Sequence, residues 1–293
     1  MKVYLHNLSL IMRKALLAAL FFLAVNTQAQ NFHVTLFGGM SNYQGDLQAK
    51  AFTFHESHPA VGAGLLYELT TNFYIRANVT LGKVSGNDNT SSSILIYDRN
   101  LNFTTLITDC QLGLEYDIFN IYKTNFTPYI FAGIGYFHFN PYTYDTTGKK
   151  VYLQPLSTEG EGFYNGRPVY SLDQFNIPFG GGVKFALTDN IRIGIELGLR
   201  KLFTDYLDDV SATYAPEDLL LANRGPEAVE LAFRSNELHT GLIYPPANTI
   251  RGNPKSKDWY YFTGFTLNFR LPSASDKYNT GGASKVACPT KVY

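Results

Sequence analysis

Residues 191–203, IRIGIELGLRKLF, decide the fold. Successive side chains of a strand point to opposite faces. Ile191, Ile193, Ile195, Leu197 and Leu199 therefore share one face, and Arg192, Gly194, Glu196, Gly198 and Arg200 share the other. A helical period would mix the two sets. One face is wholly aliphatic; the other holds only glycine and charge. Turned toward hydrocarbon, each unpaired arginine would cost about 2–4 kcal/mol at the membrane midplane. Turned into a narrow lumen, the same charges can pair with charges from other strands. The aliphatic face is expected against lipid and the charged face inside.

Working outward, the same alternation recurs in seven more stretches, at about 32–40, 60–69, 72–86, 101–118, 126–140, 174–187 and 258–271. In 72–86, Phe73, Ile75, Ala77, Val79 and Leu81 oppose Tyr74, Arg76, Asn78 and Thr80. In 101–118, Cys110, Leu112, Leu114, Tyr116 and Ile118 oppose Asp109, Gln111, Gly113, Glu115 and Asp117. Several stretches far exceed the roughly 5–6 residues of a globular strand, and they suit a tilted membrane strand of about 9–11 core residues plus its extensions. The links at 70–71, 119–125 and 188–190 are short, and those at 41–59, 87–100, 141–173 and 204–257 are long. Together these features predict an all-β protein, an eight-stranded antiparallel transmembrane β-barrel with short periplasmic turns and long extracellular loops. A lipocalin has as many strands but the opposite polarity, greasy within and wet outside. A soluble β-sandwich with aromatic edges is the plainer alternative. Tyr67, Tyr116, Tyr129, Trp259, Tyr260 and Tyr261 near strand ends are assigned to interfacial girdles.

The composition agrees. Charged residues make up 16% of the 293, below the roughly 25% of soluble domains. Lys plus Arg equals Asp plus Glu at 24 each, which disfavours an electrostatic nucleic-acid binder and disorder. Lys2, Arg13 and Lys14 precede an apolar run at 15–25, and Thr27-Gln28-Ala29 supplies a small-x-small cleavage pattern. Residues 1–29 are read as a signal peptide, 30–271 as the barrel and 272–293 as a periplasmic tail that is polar and mobile.

Chemistry is sparse. There is no G-x-S-x-G, H-E-x-x-H, P-loop or C-x-x-C. No enzyme activity, cofactor or metal is expected. Gly180-Gly181-Gly182 lies inside a strand pattern and precedes no helix, so it serves strand curvature rather than phosphate. Arg76, Asp109, Glu115, Lys184, Arg192, Glu196, Arg200 and Arg270 form the expected lumen polar network, a salt-bridged plug or, alternatively, a pore or proton path. Asp205, Asp208 and Asp209 open the longest loop. Three carboxylates suit calcium, but the spacing is not that of an EF-hand, and a solvated turn is expected. His33, His55, His58, His138 and His239 are scattered. Cys110 reads as a small hydrophobe on an apolar face. Cys288, with Pro289, lies in the tail; a thiol in an oxidising compartment makes this pair the candidate partner contact.

Several segments then resemble one family, the PorG-like outer-membrane barrel proteins of the type IX secretion system. They are Gly38 through Leu47, Arg99-Asn100-Leu101-Asn102-Phe103, Thr127-Pro128-Tyr129 through Gly133 and Gly135, and Asn140-Pro141. They continue with Leu153-Gln154-Pro155-Leu156, Thr158-Glu159-Gly160, Ile177-Pro178-Phe179-Gly180 and Phe203 through Ser211. Arg251-Gly252-Asn253, Asp258-Trp259-Tyr260 and Cys288-Pro289 complete the series. Glu161 stands where the resemblance leads one to expect Gln. The resemblance implies a non-enzymatic barrel in the outer membrane of a diderm bacterium, its termini periplasmic. It implies a protein that contacts outer-membrane lipids and anchors a periplasmic ring resembling PorK and PorN near the outer-membrane translocon. The alternative is a small porin or surface adhesin of OmpA/OmpX-like architecture.

Overall fold

The computed structural model describes residues 32–48, 56–91, 93–239 and 241–271. The leader at 1–29 and the tail with Cys288 and Pro289 lie outside the described residues. Eight long strands form the wall: β1 Phe32–Gln44, β2 His58–Glu68, β3 Phe73–Asn87, β4 Asn102–Asp117, β5 Phe126–His138, β8 Asp173–Ala186, β9 Ile191–Leu202 and β10 Trp259–Arg270. A short hairpin, β6 Tyr142–Tyr144 and β7 Lys150–Tyr152, extends the upper edge of β4. Every pairing is antiparallel, β1 pairs with β10, and β3 pairs with β4, so the wall closes.

The alternation dictates the faces. On β9, Ile195 is 52% exposed while Arg192 and Glu196 are 2% and 8% exposed. Leu36, Val79, Leu81, Leu112, Leu114, Ile130, Ile134 and Phe265 also point outward. The outer wall is thus apolar and the inner wall polar, the arrangement of a transmembrane barrel. At the turn side, three cross-strand aromatic pairs ring the wall. Phe32–Tyr67, Phe73–Tyr116 and Phe126–Phe185 have centroids 4.8, 4.7 and 4.9 Å apart. Closure between β1 and β10 is tightest where Gly39 faces Gly264; a Cβ on Gly39 would lie 2.2 Å from the Thr263 carbonyl oxygen.

The girdle assignment needs correction. Tyr129 and Tyr260 point inward and are buried, because each hydroxyl binds a lumen carboxylate. Tyr261 is buried as well.

The long connections also differ from the expected loops. They fold into a cap over one barrel end, with helices Ile94–Arg99, Glu217–Arg224 and Pro226–Ala232. Glu217 and Asp218 in the first turn and Arg224 in the last suit the helix dipole, and Pro226 opens the next helix where its missing N–H costs nothing. Tyr43, Val84, Phe103, Phe137, Phe139, Leu207, Val210 and Leu231 build one apolar core running from the upper lumen into the cap. These residues come from distant segments, so no local periodicity announces them.

Candidate functional site

The lumen is filled by paired charges. Arg76 donates to both oxygens of Glu196 at 3.1 Å and to Glu115 at 3.1 Å. Its guanidinium lies 3.8 Å from the Phe131 ring centre. Lys184 bridges Glu115 and Asp117, the latter at 2.8 Å. Arg200 reaches Asp109 at 3.3 Å and Gln111 at 3.1 Å, and Tyr260 and Asn176 donate to Asp109 at 2.6 and 2.9 Å. Arg192 donates to the Tyr74 hydroxyl at 3.2 Å. Four cations (Arg76, Lys184, Arg192, Arg200) thus sit with four carboxylates (Asp109, Glu115, Asp117, Glu196), all buried. Buried charges are tolerated when paired and hydrogen-bonded: Arg76, Lys184 and Arg200 each meet a carboxylate directly, while Arg192 rests on the Tyr74 hydroxyl and the Tyr122 ring.

Both ends of the lumen are closed. On the turn side the helix Ile121–Thr124 folds across the mouth with Ile121 buried. There Tyr122 donates to Glu68 at 2.6 Å, His33 meets Glu68 at 3.3 Å, and Arg192 lies 5.0 Å from the Tyr122 ring centre. On the loop side the aromatic core of the cap seals the bore. Between them a cavity of about 20 Å³ remains, lined by Arg76, Glu196, Arg200, Thr80 and Phe262, room for about one water.

Seven of the eight expected lumen residues belong to this network. Arg270 instead sits half-buried at the turn-side mouth. Sequence reasoning left out Asp117, Tyr74, Tyr129, Asn176 and Tyr260; the signal available was strand parity, which Asp117 shares with Glu115, Tyr74 with Arg76, Asn176 with Lys184, Tyr260 with Asn268 and Tyr129 with Thr127.

The acidic motif is not a solvated turn. Asp205, Asp208 and Asp209 are 2%, 1% and 0% exposed. Asp209 accepts from Thr158 and Tyr170, both at 2.6 Å. Asp208 accepts from Tyr43 at 2.5 Å and from the Val210 amide at 2.9 Å. Asp205 accepts from Ser211 at 2.9 Å. Around them Glu159 takes the Ser211 and Ala212 amides, both at 2.9 Å, and Arg251 at 3.2 Å. Asp258 takes the Leu207 amide at 3.0 Å. Arg251 donates to the Asp209 carbonyl at 2.6 Å, and Arg99 to the Arg251 carbonyl. Carboxylates here tie together loop backbone that would otherwise lack partners. Burial raises them: Asp205 to about 7, Asp209 to about 6, and Asp208 and Asp258 well above the ordinary carboxylate range. Burial, then the charges of Asp209 and Glu159, push Glu161 up to about 8. Among the described residues no set of three or more His, Cys, Asp or Glu is arranged to hold a metal ion.

His138 pairs with Asp173 at 2.9 Å on the exposed outer wall. His58 bonds Ser85 at 2.7 Å, so these histidines share no centre. Cys110 is exposed on the outer wall among Leu112, Ile134 and Tyr136.

The chain is similar to several solved structures. Neisserial surface protein A is 9% identical at a TM-score of 0.43, covering 82% of this chain and 97% of its own. The outer membrane protein OprG from Pseudomonas aeruginosa is 12% identical at 0.40, covering 83% and 98%. The E. coli outer membrane protein W is 10% identical at 0.34, covering 83% and 99%. No curated protein matches the chain. A family model described as a domain of unknown function, DUF6089, matches residues 13–219. The chain belongs to the DUF6089 family.

Proposed function

We propose that this barrel is a non-enzymatic anchor in the outer membrane that serves protein secretion. It holds a periplasmic ring resembling PorK and PorN, and its short turns and termini face the periplasm. The observation that carries the reading is the sealed lumen: four cations matched by four carboxylates around a cavity of about one water leave the barrel's ends as its working parts. The residues behind the resemblance to the type IX secretion barrels support it. Arg99, Glu159, Asp205 through Ser211, Arg251 and Asp258 converge on one bonded hub that shapes the cap. Deleting the gene should abolish export of secreted cargo and release the ring from outer-membrane fractions. Normal export and a retained ring would refute the secretion role. Truncation after Leu271 tests the tail, Cys288 and Pro289 as the ring contact: a truncated barrel that still captures the ring removes that assignment.

A surface adhesin is the second reading. It is favoured by an open groove of about 1120 Å³ on the cap, lined by Leu221, Val229, Phe233, Leu242, Ile243 and Tyr244. Loss of surface attachment with intact export would select it.

A further inference from the structure

The outer wall formed by β9, β10 and β1 carries two features that the sealed lumen and the cap do not use. At its loop-side edge, Lys201 faces outward opposite Trp259, with its ammonium 6.0 Å from the indole centre. Lys257 lies two residues before Trp259, Lys255 four before it, and all three lysines are exposed. None of the three makes an ion pair among the described residues. Lys257 donates only to the Pro254 carbonyl, at 3.0 Å. No acidic residue occupies an outward position of these strands: the outward sets are Ile191 to Lys201, Trp259 to Phe269 and Val34 to Met40, taken alternately. At the turn side the outward positions of the same strands end on Phe269 and Ile191, without a lysine, and Arg270, the last residue of β10, has the inward parity and is half-buried.

Lower on the same three strands lies a groove of about 510 Å³, walled by Leu36, Ile193, Ile195, Phe265 and Leu267. Its floor is Gly38, where an added Cβ would meet nothing within 4 Å. Phe265 stands opposite Gly38 and is 70% exposed, so it forms one bank.

The spacing joins the two features. Lys201 and Ile195 are six residues apart on β9, as are Trp259 and Phe265 on β10. At about 3.3 Å per residue that is about 20 Å along the strand, and at a tilt of about 40° it is about 15 Å of depth. Half of a hydrocarbon core of about 30 Å is the same distance. A lipid whose phosphate rests at Lys201 therefore ends its acyl chain at the groove. Ammonium groups beside an interfacial indole are the chemistry that retains an anionic headgroup.

We propose that this wall is a binding site for one anionic, phosphate-bearing lipid of the leaflet on the cap side. Its phosphate lies on Lys201, Lys255 and Lys257 beside Trp259, and one acyl chain lies in the groove floored by Gly38. The site depends on the barrel crossing a membrane and not on the secretion role.

The test uses the full-length protein in detergent, incubated with dipalmitoyl phosphatidylglycerol, with retained lipid counted by native mass spectrometry. The triple variant K201Q/K255Q/K257Q should lose retention by about 100-fold. Gly38→Leu fills open space and should lower retention while leaving the heat-modifiable gel shift of the folded barrel intact. Two controls, Lys123→Gln on the turn-side helix and Ala77→Leu on the opposite wall, should retain the lipid. Millimolar inorganic phosphate should not displace it. Unchanged retention in the triple variant or in Gly38→Leu overturns the site. So does an equal loss in Lys123→Gln, and displacement by free phosphate would show a solution anion site in its place.

Discussion

Replacing Arg76 by Met should be among the most damaging single changes in the barrel. Arg76 is 2% exposed and binds Glu196 through both oxygens and Glu115 through one, all at 3.1 Å. Met keeps most of the stem's volume and removes the charge, so four lumen carboxylates would face three cations. Glu115 keeps Lys184, and Glu196 keeps only the Tyr129 hydroxyl at 2.8 Å. Breaking a buried pair by removing one partner costs about 3–5 kcal/mol, mostly for the orphaned charge. Removing both partners should cost far less, so Arg76→Met with Glu196→Met should recover most of the loss. Trp259, the one tryptophan, sits on the outer wall and reports unfolding by its fluorescence. In lipid vesicles, a loss of about 4 kcal/mol with a urea slope of about 2 kcal/mol/M moves the midpoint down by about 2 M. The reasoning fails if the single variant stays within about 1 kcal/mol of wild type, or if the double variant shows the plain sum of the two single losses.

Further outcomes follow from other parts of the molecule. Glu161 and Asp205 are raised by burial to about 8 and about 7, so between their unfolded and folded values the folded cap binds more protons than the unfolded chain. Its stability is therefore full at the acid end and falls as pH rises from about 4 through about 8. Glu161→Gln should flatten that fall and stabilise the cap at alkaline pH, read by protease resistance of residues 156–170 across the range. Tyr129→Phe leaves Glu196 one donor short and should cost about 1.5–3 kcal/mol, measured by the same urea titration. Gly264→Val would drive a Cβ to 2.4 Å from the Gly38 carbonyl oxygen and 2.5 Å from the Gly39 Cα; it should abolish closure between β1 and β10 and with it the heat-modifiable band on a gel. Purified protein in a planar bilayer should show no steady conductance, and opening of a stable ion current would contradict the sealed lumen.

The wall was legible residue by residue. Strand period is local: Ile193 and Glu196 fall on opposite faces whatever the rest of the chain does, and the cost of charge in lipid chooses which face is inside. The strand ends fell within a few residues of expectation, except that β1 runs on to Gln44 rather than stopping near residue 40. The network was legible as a set of residues but not as pairs. That Arg76 takes Glu196, on the far side of the barrel, rather than Asp109 depends on stagger around a closed wall. Composition misleads when the residue is amphipathic, as Tyr129 and Tyr260 show: a phenol suits an interface, yet strand parity turns both inward and each hydroxyl binds a lumen carboxylate.

The cap was the least legible part. Asp205, Asp208 and Asp209 look like solvated loop residues because sequence reports polarity and not burial. Three-dimensional closure brings Tyr43, Thr158 and Arg251 to the same place from three distant segments. By itself the chain's alternation determined the strand count, the strand order along the chain, the greasy exterior and the charged interior, since each follows from neighbours two residues apart. Only the tertiary structure decided which charges pair, that the lumen is shut at both ends, and that the acidic loop is an interior hub. Those outcomes depend on contacts between residues tens to hundreds of positions apart, whose energy exists only once the barrel has closed.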